Sequence, residues 1–171
     1  YRIKASLFII LIALMQSICS AGLCSEQYTA SYWLQKGDEF IRNSSFDIAL
    51  DCYNKSIELE IDNATVWIKK GQALTGLERH SDALVAYNEA LRLDPQQALA
   101  WYSKGLALAN LGLYNESIAA FDRAIDIQPE VALSWFSKGI SLANMGSFNE
   151  SLQALDRAAS LDGNLSGVWL N

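Results

Sequence analysis

The chain has 171 residues, 51% of them apolar and 19% charged, enough to bury a substantial core and too hydrophobic for a disordered tail. A formal charge of -6 argues against a sequence-independent phosphate-binding surface, which needs a clustered excess of Lys and Arg, so nucleic acid is not an expected partner.

The first segment, residues 1–24, reads as a targeting element. Arg2 and Lys4 precede an apolar run from Ala5 to Met15, followed by small residues around Ser20, Ala21 and Gly22. This is the pattern of an export signal with a plausible cleavage site. The run is short of the roughly 20 residues that span a bilayer, yet an uncleaved anchor using Ala5 to Leu23 stays open beside cleavage. Both readings place the rest of the chain outside the cytoplasm. A lipid anchor is disfavoured because Leu23 precedes Cys24 and Ile18 precedes Cys19. Cys24 and Cys52 could pair in an oxidising compartment, but the helical setting of Cys52 favours a small buried hydrophobe. No CxxC metal spacing occurs. Residues 25–29 are a linker.

From residue 30 onward the chain is periodic. Trp33, Trp67, Trp101, Trp135 and Trp169 stand thirty-four residues apart, and Lys36-Gly37, Lys70-Gly71, Lys104-Gly105 and Lys138-Gly139 keep the same step. Counting from three residues before each Trp, the units are 30–63, 64–97, 98–131 and 132–165, and a fifth opens over 166–171. In each unit apolar residues recur at three- and four-residue spacing in two stretches, which predicts a helical hairpin. Asp47, Ser81, Asn115 and Asn149 fall at equivalent positions and are read as N-caps of the second helices, worth about 0.5–2 kcal/mol each. Asp82, Glu116 and Glu150 follow them, placing negative charge on the positive end of the helix dipole. The glycines of the Lys-Gly pairs cost about 1 kcal/mol each inside a helix. Close approach by the small residue at position twenty of the unit is the expected compensation. The tryptophans, with about 150–250 Å² each to bury, are expected in the core.

That period, with Trp at position four, Gly at eight and small residues at twenty and twenty-seven, resembles the tetratricopeptide repeat, in its exported prokaryotic type. Ala49, Ala83, Ser117 and Ser151 match at position twenty; Tyr53, Tyr87 and Phe121, with Leu155 in place of an aromatic, at twenty-four; Ser56, Ala90, Ala124 and Ala158 at twenty-seven. Pro95 and Pro129 take the family's proline position, where Ile61 and Gly163 depart from it. The resemblance implies an all-α fold, a right-handed α-solenoid of antiparallel hairpins whose first helices line a concave groove. Carried over from the family, groove positions in the first two units bear Ser31, Leu34, Asp38, Ile41 and Arg42, then Thr65, Ile68, Gln72, Thr75 and Gly76. Those in the next two bear Leu99, Tyr102, Leu106, Ala109 and Asn110, then Leu133, Phe136, Ile140, Ala143 and Asn144. Ile68, Gln72, Leu99, Tyr102, Leu106, Asn110, Leu133, Phe136, Ile140 and Asn144 are the candidate peptide-binding set. Asn110 and Asn144, one unit apart, are placed to hydrogen-bond a ligand main chain. The family's carboxylate clamp is not expected: beside Lys69 stand Leu34, Asp38, Leu99 and Ser103, where it needs amide or basic groups.

Catalysis, a metal site and a cofactor are not expected. His80 is the only histidine and shares its position with Phe46, Tyr114 and Phe148, which marks an aromatic packing slot. No phosphate-binding glycine loop or nucleophile elbow is present. Asn43, Asn54, Asn63, Asn115, Asn149 and Asn164 open Asn-x-Ser/Thr sequons, candidates for glycosylation in a glycosylating cell. Those at Asn115 and Asn149 are copied by the repeat itself. The function expected is an exported, non-catalytic scaffold that binds a peptide, helix or partner protein in the groove, touching a membrane only through an uncleaved N-terminal segment. Two alternatives remain: the recognition part of a larger enzyme continuing past residue 171, and a module that self-associates end to end.

Overall fold

The computed structural model describes residues 29–162, and they form eight helices with no strand among them. In chain order these are α1 (Ala30–Arg42), α2 (Phe46–Leu59), α3 (Ala64–Gly76), α4 (His80–Leu93), α5 (Ala98–Asn110), α6 (Tyr114–Ile127), α7 (Ala132–Asn144) and α8 (Phe148–Leu161). Each helix packs on the next, and α3 also touches α1 and α5, as α7 touches α5. The result is an α-solenoid of hairpins with the first helices side by side. None of the described helices is long and apolar enough to cross a membrane. The expected signal segment and Trp169 lie outside the described residues.

The second helices begin earlier than their sequence predicts. Asp47, Ser81, Asn115 and Asn149 are not N-caps; they are the second residues of α2, α4, α6 and α8, and the capping positions belong to Ser45, Arg79, Leu113 and Ser147, none of which makes a side-chain cap bond. The cause is the turn that precedes them. Ser44, Glu78, Gly112 and Gly146 occupy one repeat position with φ of 55, 59, 74 and 85°, and this left-handed residue ends each first helix. The amides of Ser45, Arg79, Leu113 and Ser147 then donate back to the carbonyls of Phe40, Leu74, Leu108 and Leu142 at 2.9 Å. Helix therefore resumes at the aromatic position. Asp82, Glu116 and Glu150 do fall in the first turn. Side-chain caps occur instead on first helices: Thr29 accepts from the Tyr32 amide at 3.2 Å and Asn63 from the Thr65 amide at 3.1 Å.

The close approach at the repeated glycines is also made differently from expectation. A Cβ on Gly37, Gly71 or Gly105 would meet the ring of Tyr53, Tyr87 or Phe121 within 2.9 Å. At Gly139 it would meet Leu155 at 2.7 Å. The residue at position twenty-four, not the small residue at twenty, fills the space left by hydrogen. The small residue has another task where it is serine: Ser117 and Ser151 donate to the carbonyls of Gly105 and Gly139 at 2.9 and 2.8 Å. Tyr53, Tyr87 and Phe121 are the largest fully buried side chains of the described fold.

The four described tryptophans are half-buried, not core. The indole nitrogens of Trp67, Trp101 and Trp135 each donate, at 2.9 Å, to the carbonyl six residues earlier, on Ile61, Pro95 and Pro129. The bond fastens the connection between units to the next first helix, and it needs the indole edge near solvent. It persists at Ile61 because a carbonyl, unlike a proline ring, is supplied by any residue. Cys52 is buried, and burial pushes its thiol above the ordinary value, as suits an inert packing residue; Cys24 lies outside the described residues.

Candidate functional site

Helices α5 and α7 carry the apolar part of the first-helix face. Leu99, Leu133 and Ile140 expose 50, 48 and 40% of their surface, a large cost for apolar side chains with nothing over them. Between the helices lie two depressions. Leu99, Tyr102, Val131 and Leu133 line one of about 160 Å³. Leu106, Asn110, Ile140 and Asn144 line another of about 200 Å³, floored by the buried Phe121 ring. Tyr102 leans on that ring with centroids 5.8 Å apart, and the Ser137 hydroxyl donates to its oxygen at 3.5 Å. Phe136 is half-buried, whereas Asn110 and Asn144 are exposed, with their amides open to a ligand main chain.

Two members of the predicted set lie apart from this cluster. Gln72 is half-buried on α3. Ile68 exposes only 3% and packs with Ala90, Leu91 and Ala100. Ile68 is therefore a core residue and not a groove contact: its branched side chain reaches the small Ala100 of the next first helix, where a larger residue would stand proud. Asp38 and Thr75, polar residues of the face, are paired internally. Asp38 accepts from the Tyr53 hydroxyl at 2.8 Å and pairs with Lys69 at 3.2 Å. Thr75 shares a 3.2 Å hydrogen bond with the Tyr87 hydroxyl. Burial, helped by Asp38, pushes the Tyr53 phenol far above its ordinary value, and burial raises Tyr87 as well.

Wider depressions lie where the first helices meet the second helices packed on them, where the repeat pattern predicts no site. They repeat unit by unit around Trp67, Trp101 and Trp135, with volumes of about 360, 410 and 290 Å³. The lysine of each Lys-Gly pair stands over the indole, at 5.1, 5.1 and 5.7 Å from its centroid for Lys70, Lys104 and Lys138. The signal is present in the sequence as a lysine three residues after each of these tryptophans. Assigning the tryptophans to the core conceals it.

His80 opens α4 half-buried, and its Nδ1 is shielded without a hydrogen bond to any described residue. Of the sequon residues, Asn43, Asn115 and Asn149 are exposed, Asn54 and Asn63 are half-buried and Asn63 serves as a helix cap, while Asn164 lies outside the described residues. No group of three or more His, Cys, Asp or Glu side chains among the described residues could hold a metal ion.

Comparison with known proteins agrees with this architecture. The tetratricopeptide repeat family model matches over residues 34–98, 68–132 and 102–166, and the chain belongs to the tetratricopeptide repeat family. Members are protein–protein interaction scaffolds and are generally non-catalytic. No curated protein matches significantly. Among solved structures, a crystal structure of MamA superposes with a TM-score of 0.77 at 20% identity, covering 86% of each chain. MamA from Desulfovibrio magneticus RS-1 gives 0.74 at 20% identity, over 78% of this chain and 76% of that one. YrrB, described as a TPR protein with an unusual peptide-binding site, gives 0.72 at 21% identity, over 93% and 83%. At such identities the likeness concerns the fold.

Proposed function

We propose that this chain is an exported, non-catalytic scaffold that holds an extended peptide or a helix on the first-helix face between α5 and α7. The observation that carries the reading is the exposed triad Leu99, Leu133 and Ile140, set around two depressions with Tyr102 at one and Asn110 and Asn144 at the other. Aromatic anchors and apolar pockets supply affinity, and two amides one unit apart supply main-chain hydrogen bonds. The peptide-binding site of the structurally similar YrrB supports the class of ligand. Export rests on the pattern of Arg2, Lys4 and the apolar run to Met15. The test is partner capture from an extracytoplasmic extract by the wild type and by the Tyr102→Ala/Phe136→Ala variant, with circular dichroism as the folding control. Loss of capture at unchanged helicity is expected; capture that survives refutes the groove assignment.

A second reading, end-to-end self-association, is favoured by the last described hairpin. Phe148 and Leu152 on α8 expose 72 and 61% of their surface, whereas the equivalent Phe46 ring lies against Gly76 of the following unit. Light scattering over a concentration series tests it, and a constant monomer mass removes it.

A further inference from the structure

The depressions around the tryptophans hold an electrostatic irregularity. Lys70 and Lys104 are half-buried over Trp67 and Trp101 at the same 5.1 Å, and neither forms an ion pair or hydrogen bond with a described residue. Their counterpart Lys138 pairs with Asp122. Burial alone lowers Lys104 below its ordinary value, with no carboxylate near enough to oppose it. Lys70 is lowered by burial first and then by Arg79, with Asp82, itself paired with Arg79, opposing. Around Trp101 a second cation approaches, the Arg123 guanidinium at 5.8 Å from the ring centroid. Arg123 is paired with Asp126 at 3.6 Å, and Glu116, which lines the same depression, is exposed and pairs with neither Arg123 nor Lys104. The cleft thus keeps one half-buried lysine, Lys104, without a carboxylate partner among the described residues, beside an aromatic face and an apolar floor of Leu108 and Ala120.

We propose that the cleft at Trp101, with its copy at Trp67, binds an acidic peptide segment of a partner protein, a carboxylate facing Lys104 and an aromatic or apolar side chain lying on the indole. The complementarity is both charged and periodic. Because α3 and α5 are in contact, their axes lie about 8–10 Å apart, and a polyproline-II segment, which brings every third side chain to one face, advances about 3.1 Å per residue. Carboxylates three residues apart therefore match successive clefts. This site faces away from α5 and α7's exposed triad and stands or falls independently of it.

The probe is the acetylated, amidated nonapeptide (Phe-Glu-Ser)₃, with (Phe-Gln-Ser)₃ as control, titrated against tryptophan emission excited at wavelengths phenylalanine does not absorb. Saturable binding of the acidic peptide is expected, weakened by added salt. The variant Lys104→Gln should weaken it roughly tenfold, the loss of one charge-assisted hydrogen bond, and exchanging every Glu for Gln should weaken it further. Lys104→Arg should retain most of it. Tyr102→Ala/Phe136→Ala should leave it unchanged. Absence of saturable binding, equal binding of the two peptides, or indifference to Lys104→Gln in a folded variant overturns the proposal, as does loss on Tyr102→Ala/Phe136→Ala, which would place the peptide on the opposite face.

Discussion

Gly105→Ala is the sharpest test of how the hairpins close. Alanine in place of glycine inside α5 should gain about 1 kcal/mol of helix propensity. Against that gain, the new Cβ would lie 2.6, 2.7 and 2.9 Å from three ring atoms of Phe121, a rigid side chain with no exposed surface into which to retreat. Overpacking of a filled core costs about 1–3 kcal/mol, and a fully enclosed ring places this site near the upper end. The expected net loss is about 1–2 kcal/mol, read as a lower urea midpoint at unchanged slope by circular dichroism. The decisive arm is the background: in Phe121→Ala, itself destabilised by about 3–5 kcal/mol, the obstructing ring is gone and Gly105→Ala should become stabilising by about 1 kcal/mol. If Gly105→Ala stabilises the wild type, or keeps the same sign in both backgrounds, ring contact is not the reason for glycine and the hairpin closes by some other contact.

Further consequences concern the turns and the buried phenols. Glu78 carries the left-handed φ of 59° that Gly112 and Gly146 adopt in later units, so Glu78→Gly should relieve about 1–2 kcal/mol of backbone strain against a glycine entropy cost of about 0.5–1 kcal/mol. A net gain near 0.5–1 kcal/mol in the same denaturation assay is expected, and a loss would contradict the turn geometry. Tyr53 and Tyr87 hold their protons above the ordinary phenol value of 10.0, while the unfolded chain releases them near that pH. Raised folded-state values contribute stability that is whole below about pH 10.0 and falls as pH climbs beyond it. Alkaline titration followed by tyrosinate absorbance should show ionisation and loss of helix together, with a shallower decline for Tyr53→Phe; free ionisation of both phenols in the folded state would refute the burial.

The repeat, the hairpin count and the faces of the helices are legible in the amino-acid order alone, because a thirty-four-residue period copies one local pattern of apolar spacing and each copy must bury the same stripe. The family resemblance, not the apolar spacing, is what assigns Leu99, Tyr102, Leu133 and Ile140 to groove positions, and of these Leu99, Leu133 and Ile140 are exposed in the fold. Contacts between elements are settled only in three dimensions. Whether Ile68 reaches the core depends on the small Ala100 thirty-two residues later. What meets Gly105 depends on how α6 rolls against α5, which brings Phe121 rather than Ser117 over the missing Cβ. The true helix starts at Phe46, His80, Tyr114 and Phe148 follow from a left-handed turn that Gly112 advertises and Ser44 and Glu78 conceal. Even the tryptophans, unmistakable in the sequence, take their role from a carbonyl on the preceding unit, and their outward edge is what leaves a lysine-covered cleft beside the second helix.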